Sequence, residues 1–492
     1  MTVTVSLLIL ALFMLIPLIM GVVANKKLLP TTEDFFVQGR AMGSVAVFFT
    51  VAATWWSAFA FLGSNGYFYA LGPVYWTAIA WNILFGMLYF VIGKRVWFFG
   101  GKGNYITASD FFRDLYGSPA LANLVAVVML VFTLPYLQIQ LTGGSYLIEV
   151  ASHGIIPWKV GGLIFYAVIV IYVWVGGLRA VAWTDIFYGV LLFFGMIFAG
   201  FYLAAKIGGP AELFRQLRQT VPESLTLPGP RGTYGPMMWV SMFIVTPLGS
   251  FMGPQLWTRM YAVKSSKLFN LMPLLLSFAA IAYIGSMLVG NSGIILEPGY
   301  PVPDQILPTM LFKYAPLVLA ALICAGGAAA AMSTANSQIH SMSAVWTVDI
   351  YQRYINKTAD HKRVLIVGRL AILVFGVGAY FMSIFIPGFL VSIGLVATAG
   401  TAQIIVPTAG LLFWKRSTPA GAFVGLLAGV LLIALLTFVP AIKAPWGMHA
   451  GLFSLIVNLV VFVIVSLATP PRKKEVAEKF AALKAEYDEN YA

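Results

Sequence analysis

The chain has 492 residues, of which 60% are hydrophobic and only 10% charged, whereas a soluble protein carries about a quarter charged residues. Such a composition excludes an ordinary water-soluble fold and points to one membrane domain in a lipid bilayer. The formal charge of +13 suggests nucleic acid at first sight, but the basic residues cluster at the ends of apolar runs. There they act as topology signals, and no nucleic-acid partner is expected. Cys324 is the sole cysteine, which rules out an intrachain disulfide or a metal cluster built of cysteines.

Apolar helices are expected near 5–24, 44–70, 74–93, 120–146, 157–177, 181–205, 237–258, 268–290, 317–346, 364–386, 389–413, 419–439 and 449–469. Thirteen spans put the termini on opposite sides. The first has no basic segment before it and no cleavage site after it, so it reads as a retained helix rather than a signal peptide. With the N-terminus outside, 22 Lys and Arg residues fall on the cytoplasmic side against seven on the other. The asymmetry predicts a plasma-membrane protein with a cytoplasmic C-terminus. The outer loop 206–236 carries Pro210, Pro222, Pro228 and Pro230 and is expected to be irregular with one short helix. After Pro470 and Pro471 the chain reads as a solvated, partly ordered tail, with a short amphipathic surface helix as the alternative.

Two spans are interrupted. In the second, Thr54, Ser57, Gly63, Ser64, Asn65 and Gly66 break an apolar run. In the seventh, Pro247, Gly249, Gly253 and Pro254 make an unbroken helix improbable. They lie five spans apart in opposite orientation, as the first helices of two inverted repeats would, spans 2 to 6 and 7 to 11. Packing kinks are the plainer explanation of either break alone; the paired placement argues for alternating access. Unwound carbonyls near Ala53 to Trp56 could then coordinate a cation, and half-helix N-termini could accept an anionic group.

The ninth span supplies the matching side chains. A helix starting near Leu317 reaches the bilayer midplane around Met332, where Ser333, Ser337 and Ser341 recur every four residues with Thr334 and Gln338 alongside. Single hydroxyls commonly bond back to the helix; this density points to a cation site and a hydrated path. Oxygen ligands of this kind suit sodium. Proton coupling is the rival reading, but it calls for a titratable group in the path. Asp185 and His340 are placed nearer the inner face, and no Lys or Arg is counted at mid-depth. For Asp185, a cap or a salt bridge to Arg179 competes with a role on the ion's exit path. The four histidines are scattered and no HExxH, GxSxG or Walker A motif occurs, so no enzyme is expected. A channel is the other class, disfavoured by the two opposed breaks.

GRAMG at 39–43, GGLRAVAWTD at 176–185, and AMSTANSQ at 331–338 followed by DIY at 349–351 resemble the sodium:solute symporter family over nearly the whole chain. The resemblance implies an all-α membrane protein of leucine-transporter type. Its accessory helix would be residues 1–38, its five-plus-five inverted-repeat core 39–416, and two accessory helices with the tail 417–492. It implies a sodium site from the carbonyls of Ala53, Trp56 and Ala330 and the hydroxyls of Ser333 and Thr334. Asp185, Asn336 and Ser337 would take part in a second ion or an exit path, with Asn336 departing from the family's hydroxyl. A substrate cavity is implied at Trp55, Ser57, Phe61, Asn82, Tyr136, Gln140, Ser250, Phe251 and Gln255.

Proline-transporting members carry an acidic residue where this chain has Trp55, and a glutamine where it has Tyr188. TWWSAFAFLG is more similar to branches that move small monocarboxylates or pantothenate. The expected partners are therefore sodium, a small organic solute and the bilayer. The expected activity is sodium-coupled symport of an organic acid, with a proton-coupled acid or proline carrier as the alternative.

Overall fold

A chain that crosses lipid must satisfy its backbone within each segment, which favours helices throughout. The computed structural model describes residues 2–25, 31–232, 234–439 and 441–491. Among the described residues all regular structure is helical, with one isolated backbone bridge between Met42 and Val263. Among the described residues nine helices are long and apolar enough to cross a membrane, or ten counting the bent pair Pro236–Phe251 and Pro254–Ala262 as one span. Three shorter apolar helices, Val3–Ile16, Ser44–Trp55 and Trp158–Ile171, accompany them. Length and hydropathy alone thus support ten crossings. The predicted thirteen is reached only if the short helices cross too.

The surface is inverted relative to a water-soluble protein. Leu274, Val374 and Phe385 project outward while Asp185, Ser333 and Arg259 are buried, which is the distribution a hydrocarbon solvent imposes. Small residues bring helices together inside: a Cβ at Gly200 would lie 2.4 Å from the Gly285 carbonyl oxygen, so only glycine permits that approach.

Spans 5 and 6 are not separated by a loop. Trp158–Ala205 is one helical stretch of 48 residues, and no proline interrupts it. A straight helix of that length would measure about 72 Å. Its two ends nevertheless lie near the same segment: His153, just before its start, lies tilted against Phe312 at 6.0 Å and the Tyr202 hydroxyl bonds the Tyr314 carbonyl at 3.2 Å. The stretch therefore doubles back on itself.

The two broken helices run in opposite directions. Met42, before the first, accepts from Lys264 N at 3.0 Å and donates to Ala262 O at 2.9 Å, just after the second. At the far end Tyr67 of the first bonds Tyr234, which precedes the second, at 2.7 Å. Near that end the turn Pro303–Gln305 lies against Gly66; this is called the loop face here. The opposite end carries the C-terminal helix and is called the tail face.

Two loop expectations meet different fates. Segment 206–236 contains the helix Pro210–Thr220 and a short 3-10 turn, Pro222–Leu225, much as expected. The tail does not stay solvated. Lys474–Tyr491 is a helix of 18 residues with Phe480 and Tyr487 buried against the membrane domain, because aromatic rings at Trp97, Phe98 and Phe99 offer it an apolar seat.

Candidate functional site

The first broken helix parts at Trp56, whose ψ of 57° takes the next residues out of helical register. Their amides then find other acceptors: Ala58 N donates to Gln140 Oε1 at 3.0 Å and Phe59 N to Ser57 Oγ at 3.1 Å. In an intact helix those amides would serve Thr54 and Trp55, so the break frees carbonyl oxygens. Thr334 of the helix Leu317–Ala344 fills part of the gap, its Oγ1 lying 3.2 Å from Ala53 O and 3.4 Å from Thr54 O. Freed main-chain oxygens and a hydroxyl converge here with no formal charge among them, a donor set suited to a hard monovalent cation.

Next to it lies a charged cluster. Ser333 Oγ and Thr50 Oγ1 both donate to the Asp185 carboxylate. Arg259 reaches the same group: Nη2 lies 3.4 Å from Asp185 Oδ2, Nε donates to Thr50 Oγ1 at 2.9 Å, and Nη1 donates to Gln255 O at 2.9 Å. Nη2 also donates to Ser337 Oγ. Four membrane helices are tied at one ion pair. The low dielectric makes each of these contacts expensive to leave half made.

The sequence reading needs correcting here. Asp185 is bonded directly to Ser333, so a carboxylate does reach the central hydroxyls. Among the described residues its cation is Arg259; the expected alternative, Arg179, has a side chain outside the described residues. The expected span 237–258 stops one residue short of Arg259, but after a 53° bend at Gly253-Pro254 the helix Pro254–Ala262 runs on through it, with Arg259 buried. Thr50, one turn before Thr54, was also missed; the i,i+4 spacing of Thr50 and Thr54, and of Gln255 and Arg259, was the available signal.

The remaining predicted residues divide into those brought together and those set apart. Trp55 Nε1 donates to Asn82 Oδ1 at 2.7 Å, and its ring stacks on Phe85 at 4.1 Å. Phe251 meets Phe85 edge-on at 6.4 Å, while Tyr136 meets Phe59 edge-on at 6.3 Å. Ser57 and Gln140 hold the break itself. Ser250 is buried in the second break, where its carbonyl accepts from Gly253 N at 3.0 Å. Phe61 stands apart from this group, its ring lying against Gly327 as packing. Gln255 serves the Arg259 cluster through its carbonyl. Asn336 is buried with its Oδ1 lacking a hydrogen-bond partner. Ala330 is buried on the same helix as Ser333. His340 bonds Phe35 O at 3.0 Å and is held as a structural link.

Opposed broken helices meeting a hydroxyl-bearing partner define a multi-pass membrane transporter of the leucine-transporter type. The model of the sodium:solute symporter family matches residues 35–429, and the chain belongs to that family. It is 26% identical over 465 residues to the sodium/pantothenate symporter of Haemophilus influenzae, covering 92% of this chain and 93% of that one. The sodium/proline symporter of Staphylococcus aureus is likewise 26% identical, over 477 residues, 93% of this chain and 92% of its own. Among solved structures, a Na+-coupled sialic acid symporter superposes with a TM-score of 0.78 at 20% identity, covering 95% of this chain and 98% of that one. These relatives are transporters, and the chain is a transporter rather than an enzyme.

Proposed function

We propose that this chain is a sodium-coupled symporter of a small organic acid, a monocarboxylate or a pantothenate-like compound, working by alternating access. It crosses the plasma membrane thirteen times, with its N-terminus outside and the tail face cytoplasmic. Residues 39–416 form the inverted-repeat core, flanked by an accessory helix and by two more with the tail. The ion is held by the carbonyls of Ala53, Trp56 and Ala330 and the hydroxyls of Ser333 and Thr334. Asp185, Asn336 and Ser337 line its exit path. The solute lies among Trp55, Ser57, Asn82, Tyr136, Gln140, Ser250 and Phe251.

The observation that carries this reading is the approach of Thr334 Oγ1 to the Ala53 and Thr54 carbonyls. A cation that needs both helices couples its occupancy to their relative position. The aromatic lining of Trp55, Phe85 and Phe251 favours a solute with an apolar body. An acid's carboxylate would be met by amides, half-helix N-termini and the bound ion rather than by a free cation, since Arg259 is already paired with Asp185.

Uptake of labelled monocarboxylates, pantothenate and proline, with sodium present or replaced by choline, tests the proposal. Uptake of an acid that collapses in choline is expected; equal uptake in both media rejects it. Proton coupling has one observation in its favour, the bond between Asp185 and Ser333. Under that reading a pH gradient alone drives uptake, and Asp185→Asn abolishes the drive.

A further inference from the structure

The C-terminal helix crosses from one part of the membrane domain to another. Its first half, with Arg472 just before it, rests on Ala108–Tyr116 and Gly117. There Lys479 Nζ pairs with Asp114 Oδ1 at 2.6 Å and Arg472 Nη1 donates to Leu115 O at 3.3 Å. Val476 packs on Gly117, where a Cβ would come within 2.9 Å of it. Its second half rests on Lys94–Gly103. Here the Tyr487 ring meets Phe98 at 5.5 Å and the Tyr491 ring meets Trp97 at 5.7 Å. Lys102 pairs with Glu486, and Lys94 Nζ donates to Tyr491 O at 2.8 Å. Phe480 stacks on Phe99 at 5.5 Å.

The two seats belong to different packing units. Lys94–Gly103 is tied to the second broken helix, since Trp97 Nε1 donates to Val263 O at 2.8 Å and Gly100 lies against the Tyr261 ring. Ala108–Tyr116 is tied to Val345–Ile355, which continues the hydroxyl-bearing helix, and to the helix Ile405–Phe413. Thr107 Oγ1 donates to Asp349 Oδ1 at 3.0 Å, Arg353 pairs with Asp110, and Tyr116 donates to Pro407 O at 2.8 Å. Between the units the tail face is shut, with Trp257 against Phe111 at 5.3 Å and Phe112 at 5.9 Å. Opening this face separates Trp257 from those rings, and a helix seated on both units resists the separation.

We propose that Lys474–Tyr491 is a strap that stabilises the closed tail face and slows its opening. This rests on the alternating-access reading, in which the tail face must open to release ion and solute. Two buried aromatic anchors and surface ion pairs are enough to bias a two-state equilibrium without locking it. The apolar seat sets the hold. The ion pairs, being exposed, tune it with ionic strength.

The test is the rate of thiol labelling at Ser341→Cys, in a Cys324→Ala background, applied from the tail face in membrane vesicles without sodium or solute. Three changes are compared with the parent: Phe480→Ala with Tyr487→Ala, Lys479→Ala, and a stop after Thr469. The first two leave the membrane helices intact, so they remain informative if the shortened chain is unstable. The aromatic pair is expected to raise the labelling rate at least threefold and Lys479→Ala to raise it less. Parent-like or slower labelling with the aromatic pair overturns the strap. Uptake that ignores sodium in the parent overturns the coupling instead, and leaves the labelling result standing.

Discussion

Arg259 Nη2 and Asp185 Oδ2 face each other at 3.4 Å with side chains 1% and 0% exposed. Neither charge has solvent to fall back on, so removing one strands the other. Arg259→Ala is expected to cost about 3–5 kcal/mol, read as a lowered apparent melting temperature in detergent. Pairing it with Asp185→Asn should recover part of the loss. If the double substitution melts below the single one, the two groups are not mutual partners.

Thr334→Ala removes the hydroxyl that approaches the freed Ala53 and Thr54 carbonyls. The sodium concentration for half-maximal uptake should rise about tenfold, the equivalent of about 1.4 kcal/mol, with the ranking of competing solutes unchanged. An altered solute ranking with unchanged sodium dependence would move the hydroxyl from the ion site to the solute site.

Asn82 accepts from Trp55 at 2.7 Å and so fixes the indole in the aromatic group. Asn82→Leu leaves a buried donor unsatisfied, a cost of about 1–3 kcal/mol, and frees the ring to turn. Solute KM should rise more than the sodium requirement. Uptake kinetics over a matrix of solute and sodium concentrations separates the two.

Asp304 sits at the loop face, buried, with Leu390 N donating to its Oδ2 at 3.0 Å. Burial pushes its carboxyl from 3.8 up to about 7. The folded protein therefore keeps this proton where the unfolded chain has lost it, and stability falls as pH climbs from about 4 to about 7. Above that window the contribution is constant. Asp304→Asn cannot ionise and should flatten this part of the melting curve against pH; a slope identical to the parent's assigns the effect elsewhere.

Gly249 faces the Thr398 backbone, where an added Cβ would lie 2.0 Å from the carbonyl oxygen. A main-chain neighbour cannot rotate away, so Gly249→Ala should destabilise the protein by about 1–3 kcal/mol. Detergent-extracted yield and melting temperature both report it.

Much of the architecture was legible because lipid simplifies the code. Long apolar runs become helices, and Gly and Pro mark the second break at Gly253-Pro254, but the first falls at Trp56, where there is neither, while the expected breakers Gly63 to Gly66 stay helical. The hydroxyl stripe was equally plain, since polar groups in an apolar helix must face something. Charge placement was harder. Arg259 lies past the second break, and the expected span stops one residue short of it because nothing local reveals that the helix runs on, buried, after a 53° bend. The tail's docking depended on Trp97, Phe98 and Phe99, and aromatic residues at a helix end read equally well as an interfacial belt.

The pairing of Met42 with Ala262 and Lys264 uses amides and carbonyls alone. Residue identity at these places can drift while the link between the two broken helices persists. Under the proposed solute site, exchanging the rings and amides around Trp55 and Asn82 is expected to alter solute preference without disturbing this backbone pairing.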